Sequence, residues 1–139
     1  MKPDQELLKT FSITLNEGIV DLTFLTEEKN PEDNTQRLQL VLESISNVFK
    51  ENQDKRFKLL VDLKPIGSGS YVSNQTQELY SKSQIFRQFT KIAVVTPSIL
   101  MKVFVHFVTE AVGKGGFTQI FENKEDALEW LKKETLSPF

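Results

Sequence analysis

Few residues of this sequence have a type and spacing suited to chemistry, and the clearest candidate is a glycine-serine segment. It follows an apolar run ending at Leu63, where open α/β sheets often bind ligands. The segment lacks the third glycine of a dinucleotide-binding fingerprint, because Val72 stands there, and it lacks the Gly-Lys-Ser/Thr of a P-loop. We interpret it as a flexible polar connection, with a ligand-binding or partner-binding loop as the alternative. Its candidate contact residues are Gly67, Ser68, Gly69, Ser70 and Ser73.

Two further features carry less chemical information. Gly113-Lys114-Gly115-Gly116 has no hydroxyl residue after its lysine and ends a predicted helix, which is typical of a C-cap and turn. His106 is the only histidine, and no nucleophile and acid accompany it at a readable spacing. The absence of cysteine excludes a disulfide, a thiolate zinc site and a cysteine nucleophile. The sequence therefore predicts no catalytic, cofactor-binding or metal-binding residue, and we expect a chain that is not an enzyme.

The predicted helix over residues 97–112 is unusual because its apolar surface is wide. At about 100° per residue, its polar arc contains Lys102, His106, Thr109 and Glu110, and a core-facing arc contains Leu100, Val103, Phe104, Phe107 and Ala111. A second apolar stripe contains Met101, Val105, Val108 and Val112. The two apolar arcs span about 200°, against about 100° for an ordinary surface helix. A neighbouring helix, a second copy of the chain or an apolar ligand could cover the second stripe.

Length and charge limit the class of protein. The 139 residues suit one domain, which we place at 1–139 with a core of about 11–133. A net charge of -2 lacks the basic surface that nucleic acid requires, so we expect no nucleic-acid partner. No apolar run reaches the roughly 18 residues of a membrane span, and the amino end lacks the apolar region of a signal peptide. We therefore expect no membrane span and a cytoplasmic location.

Apolar periodicity predicts alternating strands and helices. Phe11 to Leu15 and Val20 to Phe24 alternate around a glycine-containing turn, which predicts a β-hairpin. The later elements are a helix over about 34–52, a strand over 57–63, a helix from about 73, a strand over 92–95, the helix over 97–112, a strand over 117–121 and a final helix from about 124. The order β-β-α-β-α-β-α-β-α predicts an α/β fold whose sheet is mostly parallel, with an antiparallel N-terminal hairpin and helices covering the sheet.

This order and three stretches of sequence resemble STAS domains, and most closely the SpoIIAA-like proteins that are grouped with STAS and Sec14-type domains. The stretches are Lys58-Leu59-Leu60-Val61-Asp62-Leu63, Lys91-Ile92-Ala93-Val94-Val95-Thr96-Pro97, and Phe117-Thr118-Gln119-Ile120-Phe121 followed by Glu125-Asp126-Ala127-Leu128-Glu129-Trp130-Leu131. The resemblance covers about residues 11–133.

The resemblance implies protein–protein regulation or binding of an apolar ligand rather than catalysis. In anti-sigma-factor antagonists of this family, a serine in an Asp-Ser-Ser-Gly-like motif after the central strand is phosphorylated. The corresponding stretch here, Asp62 to Ser70, lacks that motif, although Ser68, Ser70 and Ser73 remain candidate acceptors. We predict a non-enzymatic regulatory or protein-interaction module whose partner is another protein or a second copy of the chain. The alternative is a binding protein for a lipid-like or other apolar small molecule, with the helix over 97–112 as a cavity wall.

Overall fold

A computed structural model describes residues 2–52, 55–69, 73–99, 102–103, 105–106, 110 and 117–133. Its strands are β1 (Phe11–Asn16), β2 (Ile19–Phe24), β3 (Phe57–Asp62), β4 (Phe89–Val95) and β5 (Thr118–Phe121). Its helices are α1 (Asp4–Leu7), α2 (Pro31–Glu51), α3 (Asn74–Lys82) and α4 (Lys124–Lys132), and short 3₁₀ segments span Leu8–Thr10, Lys64–Gly69 and Ile85–Gln88. The described residues between positions 99 and 110 are also helical.

The predicted N-terminal hairpin is confirmed. β1 and β2 pair antiparallel without interruption, from Phe11 opposite Phe24 to Asn16 opposite Ile19. The two residues between the strands, Glu17 and Gly18, have φ angles of 52° and 78°. A two-residue turn with positive φ at both positions has the twist of the flanking strands, so it closes the hairpin without splaying them.

The rest of the sheet is parallel, in the strand order β1-β2-β3-β4-β5. The apolar runs that were predicted as parallel central strands are β3 and β4, which are neighbours with Leu60 opposite Ala93. β4 begins at Phe89, earlier than the predicted Ile92. The prediction of a mostly parallel sheet with an antiparallel N-terminal hairpin is therefore confirmed.

The predicted start of α2 was wrong for a local reason. α2 begins at Pro31 rather than near residue 34, because the Asn30 side chain accepts a hydrogen bond from the backbone N–H of Asp33 and proline suits the first helical position. Gly67 to Gly69, interpreted as part of a flexible connection, belong to the 3₁₀ segment that follows β3. A backbone hydrogen bond from Ile66 N–H to the Leu63 carbonyl oxygen lies within the turn that leaves the strand.

Apolar side chains fill both sides of the sheet, but unequally. On one side, α2 and α3 pack over side chains of β2, β3 and β4 such as Leu22, Leu59 and Ile92, which are fully or almost fully buried. On the other side, α4 contributes Ala127 and Leu131 to a smaller core. The first side holds the larger part of the described core, so we expect it to supply most of the apolar stabilisation.

Lysines of β3 and β4 form hydrogen bonds with the carboxyl end of α4. Lys91 donates from its Nζ to the carbonyl oxygens of Trp130 and Lys133, both at 2.9 Å, and its amino group lies 4.7 Å from the centre of the Trp130 ring. Lys58 donates to the carbonyl oxygen of Leu131. Cations at a helix carboxyl end satisfy its last carbonyl groups. Burial is the main reason why the pKa of Lys91 is lowered, and the positive charges of Lys58 and Lys133 add to the effect.

Candidate functional site

The helix predicted over 97–112 begins at Ile99 rather than at Pro97, and the residues before it are well anchored. Thr96 is fully buried, and its backbone N–H donates to the Phe121 carbonyl oxygen at the end of β5, 3.0 Å away. The Thr96 hydroxyl oxygen accepts a hydrogen bond from the Ser98 N–H at 3.1 Å, and Lys102 N–H donates to the Ser98 carbonyl oxygen at 3.0 Å. The start of the helix is thus fixed to the carboxyl ends of β4 and β5.

The inward side of this helix is represented by Val105. Its exposed fraction is only 9%, and it belongs to the larger core together with Ile92 and Val94 of β4. For this member of the second apolar stripe, the covering atoms belong to the same chain. The other three members, Met101, Val108 and Val112, lie outside the described residues.

The outward side carries apolar side chains that the sequence interpretation placed elsewhere. Val103 was assigned to the core-facing arc, but 65% of it is exposed, so that assignment was wrong. Ile99, one turn earlier, is 76% exposed. Among the large apolar side chains that the structure describes, these two are the most exposed, and burying them in a complex would remove apolar surface from water.

Ile99 and Val103 share their face with two polar residues, His106 and Glu110, which are also exposed. At 100° per residue the four lie within an arc of about 60°. Lys102, at the margin of this arc, forms an ion pair of 3.7 Å with Glu122, the residue after β5. We call Ile99, Val103, His106 and Glu110 the outward face.

The sequence contained one signal for the outward face that the interpretation did not use. His106 and Glu110 are polar, so they mark the side of the helix that faces solvent. Val103 precedes His106 by three residues and follows Ile99 by four, which places both apolar residues on that same side. On a helical wheel, the widest apolar arc was taken as the side that faces the core. That assumption assigns an exposed apolar residue such as Val103 to the core.

The glycine-serine segment is described only in part. The backbone of Lys64 to Gly69 forms the 3₁₀ segment after β3, and Lys64 N–H donates to the Asp62 Oδ1 at 3.0 Å. Ser70 lies outside the described residues. Gly67, Ser68 and Gly69 therefore follow the carboxyl end of a central parallel strand, where ligands bind in open α/β sheets.

Ser73 has the contacts of a helix cap. It is 5% exposed, and its Oγ accepts from the Thr76 N–H at 3.1 Å while lying 2.7 Å from the Thr76 hydroxyl and 3.1 Å from the Thr35 hydroxyl. Its own N–H donates to the Asn34 Oδ1 at 3.1 Å. These bonds tie the start of α3 to α2. A kinase needs an accessible hydroxyl, so phosphate transfer to Ser73 would require local opening of this cap.

Arg37 and Tyr80 follow this cap further along α2 and α3. Arg37 is buried, donates to the Thr26 carbonyl oxygen at 2.6 Å and lies 4.9 Å from the centre of the Phe24 ring. Burial lowers the pKa of Arg37, which negative charge on neighbouring side chains partly opposes. Burial also raises the pKa of Tyr80 to about 12, despite the opposing charge of Arg37. Arg37 thus bonds α2 to the loop after β2, and its charge interacts with Tyr80 of α3.

One open cavity of about 350 Å³ lies away from the outward face, towards the start of β4. Its lining residues are Ser46, Phe49, Lys50, Lys55, Ile85 and Gln88, none of which belongs to the helix over 97–112. Within the described residues, no group of three or more His, Asp or Glu side chains is arranged to hold a metal ion.

The fold places the chain among STAS-like domains, because an antiparallel hairpin precedes three parallel strands and helices cover both sides of the sheet. The profile of the SpoIIAA-like family matches residues 23–132, which is well over half of the chain, and the chain belongs to that family. Comparison with curated proteins gives no match. In the part of the chain that the structure describes, every helix is too short or too polar to cross a bilayer. Family membership supports a regulatory or protein-interaction module as the general class.

Proposed function

We propose that this chain is a non-enzymatic regulatory module that binds another protein through the outward face. The observation that carries the proposal is the exposure of Ile99 and Val103, at 76% and 65%, on one face of a helix whose inward residue Val105 is buried. Apolar side chains at this spacing serve as anchors in many protein complexes, and exposed polar neighbours then set specificity at the rim.

The anchoring of the helix supports this role. Its start is bonded to β5 through Thr96, and Lys102 is paired with Glu122 beside the same strand. A face that is held in place by the sheet loses little conformational freedom when a partner binds, so more of the contact energy is available for affinity. His106 and Glu110 add polar contacts of both donor and acceptor type to the apolar pair.

A direct experiment places a photo-crosslinking amino acid at position 103 and expresses the chain in the cells that naturally produce it. Mass spectrometry then identifies covalently captured proteins. The matched control carries the same amino acid at Leu25, which is 45% exposed in the loop after β2. The proposal expects a protein that is captured from position 103 and not from position 25. Identical capture from both positions, or none from position 103, would contradict it.

The second candidate function is binding of a lipid-like or other apolar small molecule along the stripe of Met101, Val105, Val108 and Val112. Val105 is already buried in the larger core of the chain, so such a ligand would have to enter that core beside it. Native mass spectrometry of freshly purified protein separates the two functions, because a retained ligand adds a fixed mass to the chain. A chain at its unliganded mass, together with crosslinking at position 103, favours the protein partner.

A further inference from the structure

In the described part of the chain, the first strand of the sheet has an open edge without lysine, proline or a bulge. β1 stands at the end of the strand order, so no other strand of the described chain pairs with its outer side. Its sequence, Phe-Ser-Ile-Thr-Leu-Asn, contains no charge and no proline, and its pairing with β2 has no register shift. Natural proteins usually blunt such edges with lysine, proline, a bulge or a very short strand. The opposite edge, β5, has only four residues and is followed directly by Glu122.

The backbone groups that point outwards from β1 can be assigned. Leu25 N–H donates to the Thr10 carbonyl oxygen at 2.8 Å, so Thr10 faces β2. In an antiparallel pair, successive residues alternate between facing the partner strand and facing away from it. Residues 12, 14 and 16 therefore also bond to β2. The N–H and C=O groups of Phe11, Ile13 and Leu15 point to the open side.

These outward groups are self-complementary. If a second β1 lies antiparallel with Ile13 opposite Ile13 of the second copy, Phe11 of each chain lies opposite Leu15 of the other. Every outward N–H and C=O of the three residues is then paired. Ile13 is half-buried and Leu15 is 42% exposed, so the pairing also covers apolar surface on the side of the larger core.

Opposite charges lie at the two ends of the strand. Lys9 lies in the 3₁₀ segment just before β1 and Glu17 in the turn just after it, and both residues are exposed. In an antiparallel pair centred on Ile13, the amino end of each β1 lies beside the carboxyl end of the other, so the end that carries Lys9 meets the end that carries Glu17. Shifting the register by two residues in either direction leaves some outward groups unpaired. The hydrogen-bond pattern thus selects this alignment, and the opposite charges at the two ends favour a second copy of the same strand as the partner.

We propose that the chain forms a homodimer in which the two β1 strands pair antiparallel about Ile13, making one continuous sheet. The inference is independent of the outward face, because it rests on β1 alone. Lys102 and Glu122 place the helix at the β5 edge, four strands from the dimer axis. A dimer of this kind therefore carries its two outward faces at opposite ends.

Sedimentation velocity of the full chain, over micromolar to millimolar concentration, tests the dimer. The variant Ile13→Lys places like charges directly opposite each other at the axis, while a lysine at this half-buried edge position can still reach solvent in the monomer. The control Gln119→Lys puts the same charge on the exposed side of the β5 edge strand. We expect a concentration-dependent dimer for the wild type and for Gln119→Lys, and a folded monomer for Ile13→Lys. A wild type that stays monomeric, or a folded Ile13→Lys that still dimerises, would overturn the proposal.

Hydrogen exchange of the wild type tests the register without any substitution. The amides of Ser12, Thr14 and Asn16 should be protected at every concentration, because they bond to β2. The amides of Phe11, Ile13 and Leu15 should gain protection only as the dimer forms. Concentration-dependent dimerisation with no added protection at these three amides would rule out pairing through β1.

Charge exchange tests the alignment separately. Lys9→Glu and Glu17→Lys should each weaken the dimer by roughly ten-fold, since each creates two repulsive pairs, and the double exchange should restore it. Effects that simply add in the double variant would reject an antiparallel pair that brings these two ends together.

Discussion

Val103 and Val105 are the same residue type, two positions apart on one helix, and they lie in different environments. Val105 is 9% exposed and packs in the larger core, whereas Val103 is 65% exposed beside Ile99. Val105 belongs to the same core as the buried side chains of α2, and we call this core the inward region. On the outward face, the side chains of Ile99 and Val103 are exposed instead. We therefore interpret the inward region as structural and the outward face as the proposed surface for a partner.

The largest effect on stability is expected from Val105→Asp. It places a carboxylate in the larger core with no prepared partner, which should lower the free energy of unfolding by about 3 kcal/mol or more. Urea denaturation followed by circular dichroism measures the change. If Val105→Asp remains as stable as the wild type but loses a partner or a bound ligand, Val105 belongs to a binding site and the comparison fails.

Alkaline pH should weaken the inward region through Tyr80. Its pKa is raised to about 12 in the folded state, whereas an unfolded tyrosine ionises near 10. Between these values the unfolded state has lost a proton that the folded state keeps, so stability falls as pH rises. For this partly buried side chain we expect a loss of about 2 kcal/mol between pH 10 and pH 12.

The variant Tyr80→Phe isolates that contribution, because Tyr71, the other tyrosine, remains in both proteins. Denaturation at several pH values should give a shallower decline for Tyr80→Phe than for the wild type. Parallel declines would show that Tyr80 ionises equally in the folded and unfolded states.

A smaller loss is expected when the cap between α2 and α3 is removed. Ser73→Ala deletes the hydroxyl that accepts from Thr76 N–H and contacts the Thr35 hydroxyl, and should cost about 1 kcal/mol. Asn123→Ala is the matched control, because Asn123 caps α4 at an exposed site through the Asp126 N–H at 2.8 Å. The buried cap should matter more than the exposed one in thermal denaturation. A Ser73→Ala protein as stable as the wild type would show that this hydroxyl does not stabilise the start of α3.

Sequence patterns were sufficient for the fold because the signals there are strongly periodic. The alternation in β1 and β2 and the apolar runs of β3 and β4 predicted the sheet, its parallel centre and its antiparallel hairpin. The start of α2 was misplaced because the proline at position 31 is equally typical of a loop and of a first helical turn. The proposed pairing of two β1 strands is not visible in periodicity, since it depends on which backbone groups of β1 face away from β2.

The candidate site was harder to predict for a different reason. A helical wheel shows which side chains lie on the same side of a helix, but it does not show which side faces the sheet. Val103 and Val105 are chemically identical, so only their burial in the folded chain separates them. Ser73 likewise appeared as an accessible loop serine, although its hydrogen bonds to Thr35 and Thr76 depend on how α2 and α3 meet.

The smallest effect on stability and the largest on function are expected from Val103→Asp. An exposed side chain away from any cap or core typically changes the free energy of unfolding by less than about 0.5 kcal/mol. The same substitution should weaken the complex with the protein captured from position 103 by roughly 30-fold, since a charge would replace an apolar anchor.

Isothermal titration of that purified protein against wild type, Val103→Asp and Leu25→Asp tests the central claim most directly. Leu25→Asp introduces the same charge at another exposed apolar position, 45% exposed, outside the helix. We predict equal stability for the three chains, equal affinity for wild type and Leu25→Asp, and a loss of roughly 30-fold for Val103→Asp. Equal affinity for all three would contradict a regulatory partner bound through the outward face.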